Sequence, residues 1–250
     1  MQSLERMLGI LDLFDGDEQT VALTFDQLHE RLGYTRSTLY RYLKALTDAG
    51  LLSSFPSIGF VLGSRIIELD YKIRKSDVLI RAARPALEEL VGQFTGIALL
   101  CRRYKHQVIC IHQESSTSAF HSNYERGRIR PLLYGAASVA ILAYLPAHQI
   151  RRLYAQMPQE FETAGFGASL AEVKAKLKLH RQRGWIATTG EVTAGVTGIA
   201  APIFDARQDV IGSLSLTVRQ AQTSPEEVNR IADRVVLCAR IISKAMMHGG

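Results

Sequence analysis

The sequence has few cysteines and no long apolar run, and each shortage excludes a class of protein. The three cysteines are Cys101, Cys110 and Cys238. An odd number at irregular spacing gives no disulfide framework, and no segment stays apolar for long enough to cross a bilayer. The opening residues MQSLERMLGILDLFDGDEQ carry charges within their apolar periodicity, which indicates a helix of the mature protein and not a signal peptide. We therefore expect a cytoplasmic protein with no membrane partner.

The sequence also lacks the motifs of enzymes and metal proteins. Cys110 and His112 share one strand face, but Cys-x-His falls short of the repeated spacing that a structural zinc site needs. No third group orients them as a nucleophile pair. The glycine-rich GEVTAGVTG lacks the Lys-Ser/Thr ending of a phosphate loop. We therefore assign no catalytic residue, no metal ligand and no cofactor, and we expect a protein that is not an enzyme.

Positive charge is present but unevenly distributed. The chain of 250 residues has a net charge of +6, yet residues 1–75 hold 9 Lys/Arg and 10 Asp/Glu. The excess of basic residues therefore lies mostly in the later part of the chain. Between residues 31 and 47 the sequence nevertheless carries Arg31, Arg36, Arg41 and Lys44 without one acid. Local charge, more than the overall balance, favours a nucleic-acid partner.

The first quarter of the chain has the order of a winged helix-turn-helix. A first helix is expected from about residue 3 to residue 14, and a second begins at Thr24, whose side chain caps it together with Gln27. Gly33 ends that helix in a left-handed conformation. A third helix runs from about Thr35 to Ala49, and LLSSFPSIGFVLGS follows as a small hairpin. Three helices and a hairpin in this order predict the winged fold.

The third helix has two different faces. Leu39, Leu43 and Leu46 recur at helical spacing and form the core stripe. The first turns of such a helix reach base edges in the major groove, where hydroxyls suit phosphates and guanidinium groups suit phosphate or guanine. The candidate DNA-binding residues are Thr35, Arg36, Ser37, Thr38, Tyr40, Arg41 and Lys44. The alternative is a charged face that contacts only water.

The remainder of the chain alternates helix and strand patterns. Strands are predicted at residues 96–104, 107–115, 185–190, 198–205 and 209–218, and helices at 65–75, 79–94, 136–145, 169–184 and from Pro225 onward. At least five strands with flanking helices predict a mixed sheet covered by helices. The expected fold class is therefore α+β.

At this point the sequence resembles the IclR family of bacterial transcriptional regulators. MQSLERMLGILDLF and LGYTRSTLYRYLKALTDAGLL are similar to its opening helix and helix-turn-helix, and IGFVLGSRIIEL to its wing exit. RGWIATTGEVTAGVTGIAAPIFDARQDVIGSLSLTV is similar to its C-terminal signature. The resemblance implies a winged helix-turn-helix DNA-binding domain (1–64), a linker helix (65–78) and a GAF-like effector-binding domain (79–250).

The resemblance also implies an effector pocket. Its positions here are Ala136, Ala137, Thr188, Val196, Gly198, Ser215 and Thr217. Thr188 and Gly198 stand where some acid-binding members have Asp and Cys, so we expect a roomier and less charged pocket. Alternatively, Ser215 and Thr217 only form pairs across the sheet. The wing departs from the family pattern because no Lys or Arg lies between Lys44 and Arg65, so DNA affinity should depend mainly on the third helix.

These features predict a transcriptional regulator that binds a palindromic double-stranded DNA operator as a homodimer or homotetramer. Its second domain should respond to a small organic effector, either a carboxylate or an aromatic compound. Two alternatives remain open. One is a ligand-independent DNA-binding protein, and the other is an enzyme with an appended DNA-binding domain.

Overall fold

The computed structural model describes residues 2–14, 21–116 and 125–248 of the chain. Its contacts divide the chain into two compact units, residues 1–77 and residues 78–250. Among the described residues, no helix combines the length and apolar character needed to span a membrane.

The described part of the first unit contains four α-helices and one hairpin. Its elements are α1 (Gln2–Leu8), α2 (Phe25–Leu32), α3 (Arg36–Asp48), β1 (Leu52–Phe55), β2 (Gly59–Leu62) and α4 (Ser64–Ser76). The predicted cap is present: Gln27 N donates to Thr24 Oγ1 at 3.3 Å, and Thr24 N donates to Gln27 Oε1 at 2.8 Å. Gly33 ends α2 with a left-handed φ of 64°. These local signals confirm the helix-turn-helix prediction.

The first helix is shorter than expected. α1 ends at Leu8, and only a 3₁₀ turn at Leu11–Leu13 continues the segment. Gly9 follows α1 directly, and glycine is a poor helix former because its backbone loses the most freedom on ordering. The following Asp15-Gly16-Asp17, whose composition predicts the end of a helix, lies outside the described residues.

The hairpin is attached to the rest of its unit through backbone hydrogen bonds. β1 and β2 pair antiparallel, with Leu52 opposite Leu62. On the other side of β2, Leu23 and Phe60 exchange hydrogen bonds of 2.9 and 2.8 Å. Gly59 has a φ of 108°, and a Cβ there would lie 2.6 Å from the Leu23 carbonyl oxygen. The approach of these two backbones therefore requires glycine.

One apolar core supports the part of the first unit that the structure describes. Its buried side chains come from the segment that follows α1, from the residue before α2, and from α2, α3 and β1, namely Ile10, Phe14, Leu23, Leu28, Leu39, Tyr42, Leu43, Leu46 and Leu52. The three leucines predicted as the core stripe of α3 are all among them. Burial of this stripe fixes which face of α3 points outward.

The second unit is built on one six-stranded sheet. Its strands are β3 (Ile97–Tyr104), β4 (Gln107–Ser115), β5 (Ile129–Pro131), β6 (Ile186–Thr189), β7 (Val196–Phe204) and β8 (Val210–Arg219). The strand order is β5-β4-β3-β8-β7-β6. All five pairings are antiparallel, so the expectation of a mixed sheet was wrong in this respect. The long helical connection from β5 to β6 joins the two edges of the sheet, and it therefore creates no parallel neighbours.

Helices cover both faces of this sheet. They are α5 (Val78–Gln93), α6 (Ala136–Leu142), α7 (Ala147–Gln156), α8 (Pro158–Thr163), α9 (Leu170–Arg183) and α10 (Pro225–His248). One core lies between the sheet and α6 to α9, and the other between the sheet and α5 with α10. The α+β prediction is confirmed, whereas α7, α8 and the short strand β5 had not been predicted.

Candidate nucleic-acid interface and ligand cavity

The start of α3 is held in place by its own cap and by an aromatic pair. Thr35 is the N-cap, and Thr38 N donates to Thr35 Oγ1 at 3.3 Å. Immediately before it, Tyr34 donates its hydroxyl to the Arg6 carbonyl oxygen at 3.3 Å and packs edge-on against Tyr42 at 5.9 Å. These contacts fix the turn between α2 and α3.

The face of α3 opposite the leucine stripe points away from the core of its unit. Thr38 is half-buried, and its hydroxyl accepts a hydrogen bond from Thr35 Oγ1 at 2.9 Å. Tyr40, an aromatic residue, is 65% exposed. The other predicted DNA-binding residues, all exposed, are Thr35, Arg36, Ser37, Arg41 and Lys44. The structure therefore brings the seven residues together along one accessible surface, which we name the α3 surface.

The cations of the α3 surface differ in their partners. Arg36 forms an ion pair with Asp26 at 2.9 Å, and its guanidinium lies over the Phe25 ring at 4.8 Å. Arg41 lies over the Tyr42 ring at 5.8 Å. Among the residues that the structure describes, neither Arg41 nor Lys44 has a carboxylate partner. Their positive charge is thus uncompensated, as a surface that binds phosphate requires.

The hairpin adds no charge to this surface. Its exposed turn is Phe55-Pro56-Ser57-Ile58, in which Phe55 and Ile58 are about half exposed. Its strands carry neither Lys nor Arg. Within the hairpin and α3, positive charge is therefore confined to the helix.

The second unit contains a small cavity between α6, the sheet and the segment 190–195. The seven positions that the resemblance indicated all line it. Residues that sequence reasoning missed are Leu99, Gly135, Glu191, Val192 and Thr193. The cavity volume is about 30 Å³, which corresponds to space for about two water molecules. Glu191, Val192 and Thr193 contribute to its walls.

Most polar groups of the cavity already have partners. Gly135 N donates to Glu191 Oε2 at 3.0 Å, and Ala136 N donates to Thr188 Oγ1 at 3.0 Å. Thr217 Oγ1 donates to the Ile97 carbonyl oxygen on the neighbouring strand at 3.1 Å. Thr217 thus follows the structural alternative, in which its hydroxyl pairs across the sheet.

Ser215 is the exception. It is only 1% exposed, and its Oγ has no hydrogen-bond partner within the described part of the chain. A buried hydroxyl without a partner costs about 1–3 kcal/mol. Ser215 is therefore the group in this cavity that is best suited to a hydrogen bond with a ligand.

The cysteine and histidine cluster has a structural arrangement. The Cys110 thiol donates to the His112 carbonyl oxygen at 3.3 Å, and the His112 ring contacts Glu114 at 3.0 Å. The described residues contain no group of three or more His, Cys, Asp or Glu side chains placed to hold a metal ion.

Comparison with known proteins gives matches along nearly the whole chain. The bacterial transcriptional regulator IclR C-terminal domain matches residues 72–244, and the IclR helix-turn-helix domain matches residues 3–54. The chain is 26% identical to the HTH-type transcriptional regulator XynR of Escherichia coli K12, over 98% of this chain and 97% of that protein.

Two solved structures share the fold. The first is an IclR transcriptional regulator from Alicyclobacillus acidocaldarius, with a TM-score of 0.79 and 22% identity over 98% of this chain and 99% of that one. The second is an IclR homologue from Microbacterium hydrocarbonoxydans complexed with 4-hydroxybenzoate. Its TM-score is 0.74, with 21% identity over 98% of both chains.

Proposed function

The chain belongs to the IclR family of bacterial transcriptional regulators, and from this premise we propose that it is a ligand-responsive, homo-oligomeric regulator of a palindromic operator. DNA-binding transcriptional regulation is the activity of the family. The operator symmetry, the oligomeric state and the effector are the parts that we propose. We place its action in the cytoplasm.

The uncompensated charge of Arg41 and Lys44 carries the proposal for DNA binding. In our account α3 enters the major groove, and Arg41 contacts either a guanine edge or a phosphate. The hydroxyls of Thr35 and Ser37 contact phosphate oxygens near the start of the helix. Arg36 exchanges its Asp26 partner for a phosphate when DNA binds.

Exposed apolar side chains of the first unit support the proposal of a dimer. On α4, Ile67 is 70% exposed and Tyr71 is 55% exposed, and on α1 Leu4 is 58% exposed. Clustered exposed apolar residues mark interaction surfaces, and one winged module distinguishes few base pairs. We therefore propose that a second copy of the chain covers α1 and α4, and that the resulting dimers pair into tetramers. We also propose that residues 65–78 link a DNA-binding domain (1–64) to an effector domain (79–250).

The cavity with its unpaired Ser215 hydroxyl supports the proposal of an effector site. We propose a small organic molecule, either a carboxylate or an aromatic compound, and 4-hydroxybenzoate is a reasonable first probe because it is present in one structural relative. Such a molecule is larger than the cavity volume of about 30 Å³. In our account its binding displaces the segment 190–195 and shifts the population between DNA-competent and DNA-incompetent arrangements.

The test combines operator selection with an effector screen. Duplexes bound by the full chain are selected from random DNA, and affinity for the selected sequence is then measured by fluorescence anisotropy. The proposal predicts a sequence with two-fold symmetry, and an affinity that at least one organic acid or aromatic compound changes. An asymmetric site would contradict the symmetric assembly, and an affinity that no compound changes would favour ligand-independent DNA binding.

A further inference from the structure

A second concave site in the effector unit lies apart from the cavity described above. It is formed where the turn between β3 and β4 meets the helix α7, and no residue lines both sites. The end of β3 contributes Arg103, the turn contributes Lys105 and His106, and α7 contributes His148 and Arg152. The volume of this basic groove is about 410 Å³, which suits a small ligand.

The charge of the basic groove has a single sign. Its side chains include two arginines and one lysine, and none of the described residues that line it is Asp or Glu. No carboxylate within the described chain forms an ion pair with Lys105 or Arg152. Cations that converge on one concave volume attract an anion, because the field of each adds to the others.

Arg103 gives the most specific indication of an anion. The side chain is half-buried, yet both of its hydrogen-bond partners are neutral: Nε donates to the Lys105 carbonyl oxygen at 2.9 Å, and Nη1 donates to Gln149 Oε1. Burial lowers the pKa of the Arg103 guanidinium, because removal from water disfavours its charged form. No carboxylate within the described part of the chain forms an ion pair with Arg103, so an anion in the groove would supply a charge-assisted partner that the protein itself does not.

We propose that the basic groove binds a phosphate-bearing small molecule, with Arg103 at its inner side and Lys105 and Arg152 at its opening. A phosphate dianion offers several oxygens to donors that converge from two elements, and arginine suits such an anion particularly well. Leu153 is buried beside these groups and gives the organic part of the ligand an apolar contact. A DNA duplex fits less well, because it presents convex rows of phosphates to a concave site.

The chain offers a matched control for this proposal. Arg151 and Arg152 are neighbours on α7 and both are exposed, but only Arg152 lines the groove. Arg151→Gln and Arg152→Gln therefore make the same change in net charge, on the same helix turn, at one position outside the groove and one inside it. Lys105→Gln changes the groove from its other side.

The experiment is isothermal titration of the full chain with inorganic phosphate and with methyl phosphate, at constant ionic strength. We expect saturable binding that Arg152→Gln and Lys105→Gln each weaken about tenfold or more, since each removes a hydrogen bond from a charged group. Arg151→Gln should change the affinity by less than about twofold.

Three results would overturn the proposal. The first is the absence of saturable binding of either probe to the unmodified chain. The second is an equal weakening by Arg151→Gln, which would mean that diffuse charge and not the groove attracts the anion. The third is that Arg152→Gln leaves phosphate binding unchanged but weakens operator binding, which would make the groove a DNA contact.

Discussion

Two serines on β8 provide a sharp test of the ligand cavity. Ser213 and Ser215 are two residues apart, so their side chains lie on the same face of the sheet, and both are buried. Ser213 Oγ donates to the Ala137 carbonyl oxygen at 2.8 Å, whereas Ser215 Oγ has no partner in the described part of the chain. Substitution by alanine therefore removes a hydrogen bond at one position and an unpaired hydroxyl at the other.

The expected effects on stability differ in sign. Ser213→Ala should lower the free energy of unfolding by about 1 kcal/mol, the usual net value of a hydrogen bond, and thereby lower the melting temperature by about 2–4 °C. Ser215→Ala should leave the free energy of unfolding unchanged or raise it by up to about 1 kcal/mol, because the substitution removes a buried hydroxyl that has no partner. The same Ser215→Ala change should abolish the response of operator affinity to the effector.

Fluorescence of Trp185 is the appropriate readout. It is the only tryptophan of the chain and belongs to the second unit, so its thermal transition reports on the unit that contains both serines. A drop in melting temperature after Ser215→Ala as large as that after Ser213→Ala would refute the reasoning. It would mean that the Ser215 hydroxyl is already satisfied and is not reserved for a ligand.

Three further predictions concern other parts of the molecule. Gly59→Ala should destabilise the first unit by more than about 1 kcal/mol and weaken operator binding, because the alanine Cβ would meet the Leu23 carbonyl oxygen. Guanidinium unfolding followed by circular dichroism measures the change in stability, and an unchanged unfolding midpoint would contradict the prediction. Ile67→Glu should shift the assembly towards monomer, since it places a charge on the exposed face of α4 that we propose as the dimer contact. Sedimentation velocity measures this shift, and an unchanged sedimentation coefficient would exclude this face as the dimer contact. Burial and nearby cations lower the pKa of His180 below 6.5 in the folded chain. The unfolded chain therefore binds a proton at this histidine more tightly than the folded chain does, and the free energy of unfolding should fall as the pH drops below about 6.5. His180→Gln should flatten that dependence in Trp185 melting curves recorded between about pH 7 and pH 5, the range in which histidine titrates, and an identical pH profile would refute it.

The first unit was predictable because its signals are local. The Thr24 and Gln27 cap, the left-handed Gly33 and the leucine spacing of α3 each act within a few residues, and the structure contains all of them. The helix α7 was missed because its sequence, AHQIRRLYAQ, buries only Ile150 and Leu153. Two buried residues give too weak a periodicity for a prediction.

The second unit depends on contacts that the sequence does not display. The order β5-β4-β3-β8-β7-β6 arises from pairings between distant segments, such as Ile97 with Thr217. The family resemblance indicated seven positions around the cavity, but Glu191 and Val192 lie on a segment bounded by Gly190 and Gly195 that has no periodic pattern. Sequence reasoning therefore could not anticipate that this segment would line the cavity.

The account depends on the outward face of α3, and one affinity measurement tests it most directly. Arg41→Ala and the equally charged control Arg151→Ala, from the exposed side of α7 in the second unit, are compared with the unmodified chain on the selected operator and on a scrambled duplex of the same length. The account predicts that Arg41→Ala loses about tenfold or more in operator affinity and most of its preference over the scrambled duplex. Because Arg41 is exposed, its melting temperature should not change. An Arg41→Ala protein that binds the operator as tightly as the Arg151→Ala control does would contradict the assignment of α3 as the helix that reads DNA.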